Sequence, residues 1–292
     1  IIGNSSGGVG AADAIRQLDR HASLTMVSDE PYPAYSRPLI ARYLAGQTTI
    51  DRMAYRLPGY YEAQGIDLLL GQTLVNLDVA AQRAELSNGQ TLPWDRLLLA
   101  VGGVPIVPPT EGLQDHDYFT FTTLDDAKRL AAHLPDRKQA VVVGGGLIGM
   151  SVTEALVHLG IRVAIVELAP RILSRALDAP AAALALRALE GAGVRVLTGH
   201  TVAAVLGSAP GDRAVRAVVL DDDSEIPCDT LIMAIGVRPR VEVVSGTGIH
   251  VQRGIVVDRH MATSHPHVYA CGDVAEAYDF VIDENRLTPI WP

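Results

Sequence analysis

The sequence predicts an α/β fold built from two similar units, the second inserted into a discontinuous first. Three observations carry that expectation. A strand, glycine turn, helix and strand occur in that order at the start of the chain and again from Val141 to Glu167. The stretch from Gly65 to Leu74 returns as Gly193 to Val202. Each copy then closes on one pattern, Asp95 to Gly102 and Asp229 to Gly236. Three matches in the same order are hard to reach by chance, and 292 residues suit two domains that each bury a core.

In the first unit, Gly3, Ser5 and Gly8 fall at the three glycine positions of G-x-G-x-x-G, with Ser5 a departure. Ala11, Ile15 and Leu18 keep helical spacing. A strand from Ser23 to Val27 leads to Asp29 and Glu30, either of which can reach a ribose hydroxyl. Asn88-Gly89 marks a two-residue hairpin turn beyond the repeated stretch. Val75, Ala100 and Gly102 are further candidate cofactor contacts. Only Ile1 and Ile2 precede Gly3, where strands usually run about 5–6 residues. The other end, Ile290-Trp291-Pro292, has no turn or cap, so residues are expected to be missing at both ends.

The central motif is the fuller one. Val141 to Val143 form a buried strand, and Gly144, Gly146 and Gly149 match the glycine fingerprint. Gly144 permits the tight turn, Gly146 lets a pyrophosphate approach the backbone, and Gly149 lets the helix pack against the strand. Free N–H groups at the helix start, around Ile148, would hold the phosphates. Ile148, Val152, Leu156 and Leu159 mark the helix, and Gly160 stops it. A strand from Arg162 to Val166 ends on Glu167, at the spacing of a ribose-binding acid. Gly236 closes this unit as Gly102 closes the first. A Pro-rich crossing segment spans Val104 to Ala140, and strands at Ile255 to Asp258 and Val268 to Asp273 return to the first unit. The expected division is 1–105 with 242–292 for the first domain and 106–241 for the second. Both are Rossmann-like, three-layer ββα units.

Composition excludes several function classes. A formal net charge of −9 argues against nucleic acid and anionic membrane as main partners. No apolar run approaches the ~18 residues of a membrane span. Cys228 and Cys271 are the only cysteines, which favours a reducing, cytoplasmic setting. Cys228, at a strand start, reads as an inert thiol. His260, His265 and His267 lie near Cys271 in sequence, but Pro266 breaks any ligand spacing and no metal site is expected. Asp221-Asp222-Asp223 reads as a turn between hairpin strands.

The double fingerprint, with LLLAVGGVP, LIMAIGVRP and HVYACGDVA, resembles the pyridine nucleotide–disulfide oxidoreductases over essentially the whole chain. The resemblance implies FAD in the first unit and NAD(H), with NADP(H) the lesser choice, in the second. It places Gly272 and Asp273 at the flavin's ribityl or pyrophosphate region, with a helix cap as the plainer reading of Asp273. It also implies a C-terminal interface domain, absent from this sequence, through which a homodimer would form. Pro31 to Gly46 resembles the ferredoxin and rubredoxin reductase branch and the NADH-handling part of nitrite reductases. Disulfide reductases carry a cysteine pair here, and NADH oxidases one cysteine; this segment has none. It has Arg37, expected at the FAD pyrophosphate, and Arg42, which falls where ferredoxin reductases place a lysine near the flavin. Arg42 is the one candidate catalytic residue. Ser151 departs from a glutamate that relatives often carry, and Val101 from a threonine. Trp291 resembles a position near the nicotinamide or flavin face.

The implied activity is a flavoprotein oxidoreductase that passes hydride from NADH to FAD and electrons to a ferredoxin, a rubredoxin or an iron–sulfur subunit. Arg16, Arg20, Arg37, Arg42, Arg52 and Arg56 are candidates for a carrier-docking patch. The alternatives are an NADH oxidase or peroxidase, and a flavin-bearing subunit of a larger redox complex.

Overall fold

The computed structural model describes residues 1–209, 211 and 213–287. The chain divides into two units. One holds Ile1–Tyr35, Ala54–Val104 and the chain from Arg238 onward; the other holds Ser36–Met53 and Pro105–Val237.

In the second unit four parallel strands lie in the order Arg195–Thr198, Arg162–Glu167, Gln139–Val143 and Thr230–Met233. Val141, Val143, Ala164, Val166, Leu231 and Met233 alternate onto one face of this sheet. They pack on Val202, Val205, Val218 and Leu220 of an antiparallel three-stranded sheet, Val202–Gly207, Val215–Leu220 and Glu225–Pro227. The period of two explains the layering: a parallel strand covered on both faces is apolar throughout, and alternate residues feed alternate cores. A fully buried Val or Leu of this kind is worth about 1.5–3 kcal/mol over an exposed one. The triplet Asp221-Asp222-Asp223 is the turn between the second and third hairpin strands, with Asp223 at φ +64°.

The first unit repeats the plan. Leu24–Val27 pairs in parallel with Ile66–Leu69, and Val268–Ala270 with Leu97–Leu99. Ile2 bridges the two pairs, lying parallel to both Val27 and Leu99. The expected first strand is thus one bridging residue. Its N–H donates to the Leu98 carbonyl at 2.8 Å, and its carbonyl accepts the Ala100 N–H at 2.7 Å. The antiparallel sheet Leu74–Asp78, Arg83–Leu86 and Thr91–Pro93 lays Leu77, Ala84 and Leu86 on the core.

Three details differ from the sequence reading. Segment Ser36–Met53 groups with the second unit, although it lies within 1–105. Its helix Ile40–Leu44 buries Ile40 and Leu44 and packs on helices Leu124–His133 and Leu147–His158. The crossing segment Val104 to Ala140 contains helix Leu124–His133, which opens on a capping box of Thr123 and Asp126. The prolines upstream mask that box in the sequence. The return strands are shorter than expected, Ile255–Val256 and Val268–Ala270, and Gly272–Val274 is a 3₁₀ turn. Asp273 therefore lies inside a 3₁₀ turn that a strand follows, and it caps no α-helix. No helix among the described residues is long and apolar enough to cross a membrane.

Candidate functional site

Each unit builds a glycine cradle at the carboxyl edge of its parallel sheet, and the two cradles match bond for bond. Gly3 donates its N–H to the Val27 carbonyl at 2.8 Å, and Gly144 donates to Val166 at 2.8 Å. A Cβ on Gly3 would stand 2.1 Å from the Ala100 oxygen, and one on Gly144 2.5 Å from the Ala234 oxygen. A Cβ on Gly8 would stand 2.0 Å from the Gly3 oxygen, and one on Gly149 2.0 Å from the Gly144 oxygen. These four positions exclude any side chain. Gly146 is different, because a Cβ there would meet nothing within 4 Å. Its missing side chain leaves open space, as an approaching phosphate requires. Ser5 holds the same place in the first unit.

Helices Ser6–Leu18 and Leu147–His158 start from Ser5 and Gly146, and neither N-cap side chain bonds the first turn. Both helix starts keep amide hydrogens for an anion, with Ile148 half-buried beside them. Gly102, Gly236 and Gly272 take positive φ where the chain turns away from each sheet. Val75, exposed in strand Leu74–Asp78, lies at a break in the ladder between Leu74 and Asn76, so its backbone stands outside the pairing. These features fit two dinucleotides.

The acids are held differently in the two units. Glu167 is fixed by two backbone donors, Gly145 N–H on Oε2 at 2.6 Å and Ala169 N–H on Oε1 at 2.7 Å. Each oxygen keeps a further lone pair as a hydrogen-bond acceptor. Gly145 is a site residue that sequence reasoning missed. A Cβ on it would press Ile172 at 2.9 Å and the Glu167 carboxylate at 3.1 Å. Its signal was the middle glycine of the Gly144-Gly145-Gly146 run.

In the first unit the residue equivalent to Glu167 is Ser28, whose carbonyl accepts the Gln72 N–H at 2.8 Å as Glu167 accepts from His200 at 3.2 Å. Asp29 and Glu30 lie one and two residues further on. Asp29 pairs with Arg240 at 2.6 Å, and Glu30 accepts the Tyr35 hydroxyl at 2.5 Å. No sequence signal identified Arg240 or Tyr35 as holders of those acids.

Arg37 donates to the Thr122 carbonyl at 2.9 Å, within the second unit. Arg42 lies opposite the buried Ile40–Leu44 edge of its short helix, with its side chain exposed. Ser151 is exposed on helix Leu147–His158. Arg171 folds back on its own loop, with contacts of 3.3 and 3.5 Å to the Ser174 and Leu177 carbonyls. Trp291 lies outside the described residues.

The carrier-docking patch needs a correction. Arg16 is buried, and its guanidinium donates to the carbonyls of Gln64 at 2.5 Å, Ala22 at 2.9 Å and Gly65 at 3.0 Å. It holds the first unit together and cannot meet a partner. Arg56 is paired with Asp13 at 2.5 Å.

Both thiols are free. Burial, helped by Asp229, pushes Cys228 up to about 12. Burial also pushes Cys271 up. Its sulfur would lie 3.0 Å from a Cβ on Gly7, so it packs on the first turn of helix Ser6–Leu18.

A family model described as pyridine nucleotide-disulphide oxidoreductase matches residues 1–287. Putidaredoxin reductase of Pseudomonas putida is 33% identical over 287 residues, covering 97% of this chain and 68% of its own. The assimilatory nitrate reductase electron transfer subunit of Bacillus subtilis is 31% identical over 277 residues, 94% of this chain. The chain spans only 35% of that relative's length. Among solved structures, a ferredoxin reductase from Rhodopseudomonas palustris superposes with a TM-score of 0.92 at 28% identity, over 98% of this chain and 70% of its own. Two matching cradles, the strand-end acid beside Gly145 and this family match lead to one assignment: the chain belongs to the pyridine nucleotide-disulphide oxidoreductase family.

Proposed function

We propose that the first unit holds FAD and the second NADH, and that the protein passes electrons from NADH through flavin to a protein carrier. The carrier would be of ferredoxin or rubredoxin type, or an iron–sulfur subunit. The observation that carries the reading is the doubled cradle, in which Gly3 and Gly8 repeat the geometry of Gly144 and Gly149. When bound, the flavin supplies the exchange between a two-electron donor and a one-electron acceptor.

The chain's own residues then have these roles. The open starts of helices Ser6–Leu18 and Leu147–His158 hold the two pyrophosphates. The Glu167 carboxylate, pinned by Gly145 and Ala169, accepts the adenosine ribose hydroxyls of NADH and repels a 2′-phosphate. Arg42 supplies positive charge that favours reduced flavin. The absence of cysteine between Pro31 and Gly46, with both thiols pushed up by burial, favours direct electron transfer to the carrier over a thiol relay. A reducing, cytoplasmic setting suits both thiols.

An anaerobic NADH titration of the FAD-loaded protein tests the reading, followed by candidate acceptors offered one at a time. Flavin bleaching by NADH and reoxidation by an iron–sulfur or rubredoxin-type carrier are expected. A protein that takes up no FAD, or a flavin that NADH leaves oxidised, refutes it.

A further inference from the structure

The carboxyl edge of the second unit's sheet carries a titratable side chain that the roles above leave unused. His200 follows strand Arg195–Thr198 and a turn at Gly199, where φ is +77°. Its N–H donates to the Glu167 carbonyl at 3.2 Å. The residue therefore leaves the sheet beside the ribose acid, at the edge where ligands of open α/β sheets bind. The ring is oriented: Nδ1 lies 3.0 Å from Asp221 Oδ1 and 3.9 Å from Asp222 Oδ2. A carboxylate only accepts, so Nδ1 carries the proton and Nε2 is a lone-pair acceptor whenever the ring is neutral. Among the described residues nothing bonds Nε2, and the side chain is 31% exposed.

The first unit shows what is particular here. Gln72 occupies the equivalent place, its N–H on Ser28 at 2.8 Å. It is held by Ser87, whose hydroxyl donates to Gln72 Oε1 at 3.2 Å. Thr73 N–H on Ser87 Oγ at 3.1 Å matches Thr201 N–H on Asp221 Oδ1 at 3.2 Å. One scaffold thus carries a neutral amide–hydroxyl pair in the first unit and an imidazole–carboxylate pair in the second.

We propose that His200 is a specificity-determining residue of the second nucleotide site, reading the 2′ position of the adenosine ribose through Nε2. The proposal rests on the assignment of a nicotinamide nucleotide to that unit. A neutral ring accepts a hydrogen bond from a 2′-hydroxyl. An imidazolium donates one to a 2′-phosphate and offsets the Glu167 charge that otherwise rejects it. The charged groups shown against the ring are Asp221 and Asp222. The His200 hydrogen bond is the main reason that Asp221 is held below the usual carboxylate range. Glu167 alone sets a fixed preference; with His200 beside it, the preference becomes pH-dependent.

The test is calorimetric binding of NAD⁺ and NADP⁺ to the FAD-loaded full chain at about pH 8 and about pH 6, across the range where histidines change charge. The variant is His200→Gln, which installs the first unit's residue; its urea midpoint controls for folding. In the parent, affinity for NADP⁺ relative to NAD⁺ should rise about tenfold on acidification, which is about 1.4 kcal/mol. In His200→Gln the ratio should change by less than about twofold. The phosphate's own titration is common to both proteins and cancels in the comparison. An unchanged pH profile in a folded His200→Gln variant that still binds NAD⁺ overturns the role of His200 alone. If neither nucleotide binds the parent, the assignment of the second unit falls and the proposal falls with it.

Discussion

Alanine substitutions at Gly149 and Gly146 should separate packing from ligand approach within one turn of chain. A Cβ on Gly149 would stand 2.0 Å from the Gly144 oxygen, and both atoms are backbone-fixed. Ordinary contact begins near 3.4 Å, so the helix would have to withdraw from the turn by about 1.4 Å. Overpacking of this kind costs up to about 3 kcal/mol. Alanine's better helix propensity returns about 1 kcal/mol. Gly149→Ala should therefore lose about 2 kcal/mol of stability and weaken nucleotide binding as the helix start moves. Gly146→Ala meets open space and should keep stability within about 1 kcal/mol, since a poorer N-cap and a less flexible unfolded chain oppose each other. It should still weaken NAD⁺ binding at least about tenfold, because its methyl enters the space that a pyrophosphate needs. Urea denaturation without nucleotide and calorimetric titration of NAD⁺ check both. Gly149→Ala as stable as the parent would refute the packing argument, and Gly146→Ala with unchanged affinity would refute backbone approach at that residue.

Four further outcomes are expected. NADH should be preferred over NADPH by at least about tenfold near neutral pH, and Glu167→Ala should erase the preference in steady-state kinetics; equal use by the parent would remove Glu167 from the ribose. Arg42→Ala should slow flavin reduction in stopped-flow mixing while FAD content stays the same, and an unchanged rate would return Arg42 to the solvated surface. Reductive titration should take up one electron pair per flavin, and Cys271→Ser should leave carrier reduction intact; a second pair, or loss of turnover on alkylation, would put a thiol on the path. Burial raises Asp13, but hydrogen bonds from Tyr60 and Arg56 outweigh it and hold the carboxyl below its usual range. A depressed folded value contributes stability above the unfolded carboxylate value, near ~3.9, and that stability is lost as pH falls through the folded value. Urea midpoints between about pH 6 and pH 3 should fall less steeply in Asp13→Asn than in the parent; other depressed carboxylates contribute to both slopes.

What the sequence made legible was whatever depends on a missing side chain or a short-range period. Gly3, Gly8, Gly144 and Gly149 are fixed by close approaches within their own turns and to the neighbouring strand end, so their spacing announces the cradle. The unbroken apolar runs in Gln139–Val143 and Thr230–Met233 announce buried strands in the same way. Long-range placement was not legible. Arg16 looks like any exposed helix arginine until carbonyls of Gln64 and Gly65, nearly fifty residues away, close around it. Segment Ser36–Met53 reads as a continuation of the first unit. The packing of helix Ile40–Leu44 on helices Leu124–His133 and Leu147–His158, with the Arg37 bond to Thr122, groups it with the second.

The acids of the first unit show where local pattern misleads. The place of Asp29 and Glu30 just past the second strand suggests that one of them repeats Glu167, yet the backbone bonds put Ser28 at that position. The difference traces to the residue between the first two glycine positions. Gly145 has no side chain, so its surroundings admit the Glu167 carboxylate, which bonds its N–H at 2.6 Å. Asn4 takes that place in the first unit. Its side chain is anchored by the Tyr61 hydroxyl, which donates to Oδ1 at 2.8 Å and itself accepts the Ala34 N–H at 3.1 Å. With a side chain at that turn, the opposing strand end carries a small serine, and the acids move one and two residues along, where Arg240 and Tyr35 hold them. Gly with Glu, and Asn with Ser, are thus the pairs that the two units carry at matching positions. On the proposed function, the choice between them would give each unit its own adenosine end while the phosphate cradle stays common to both.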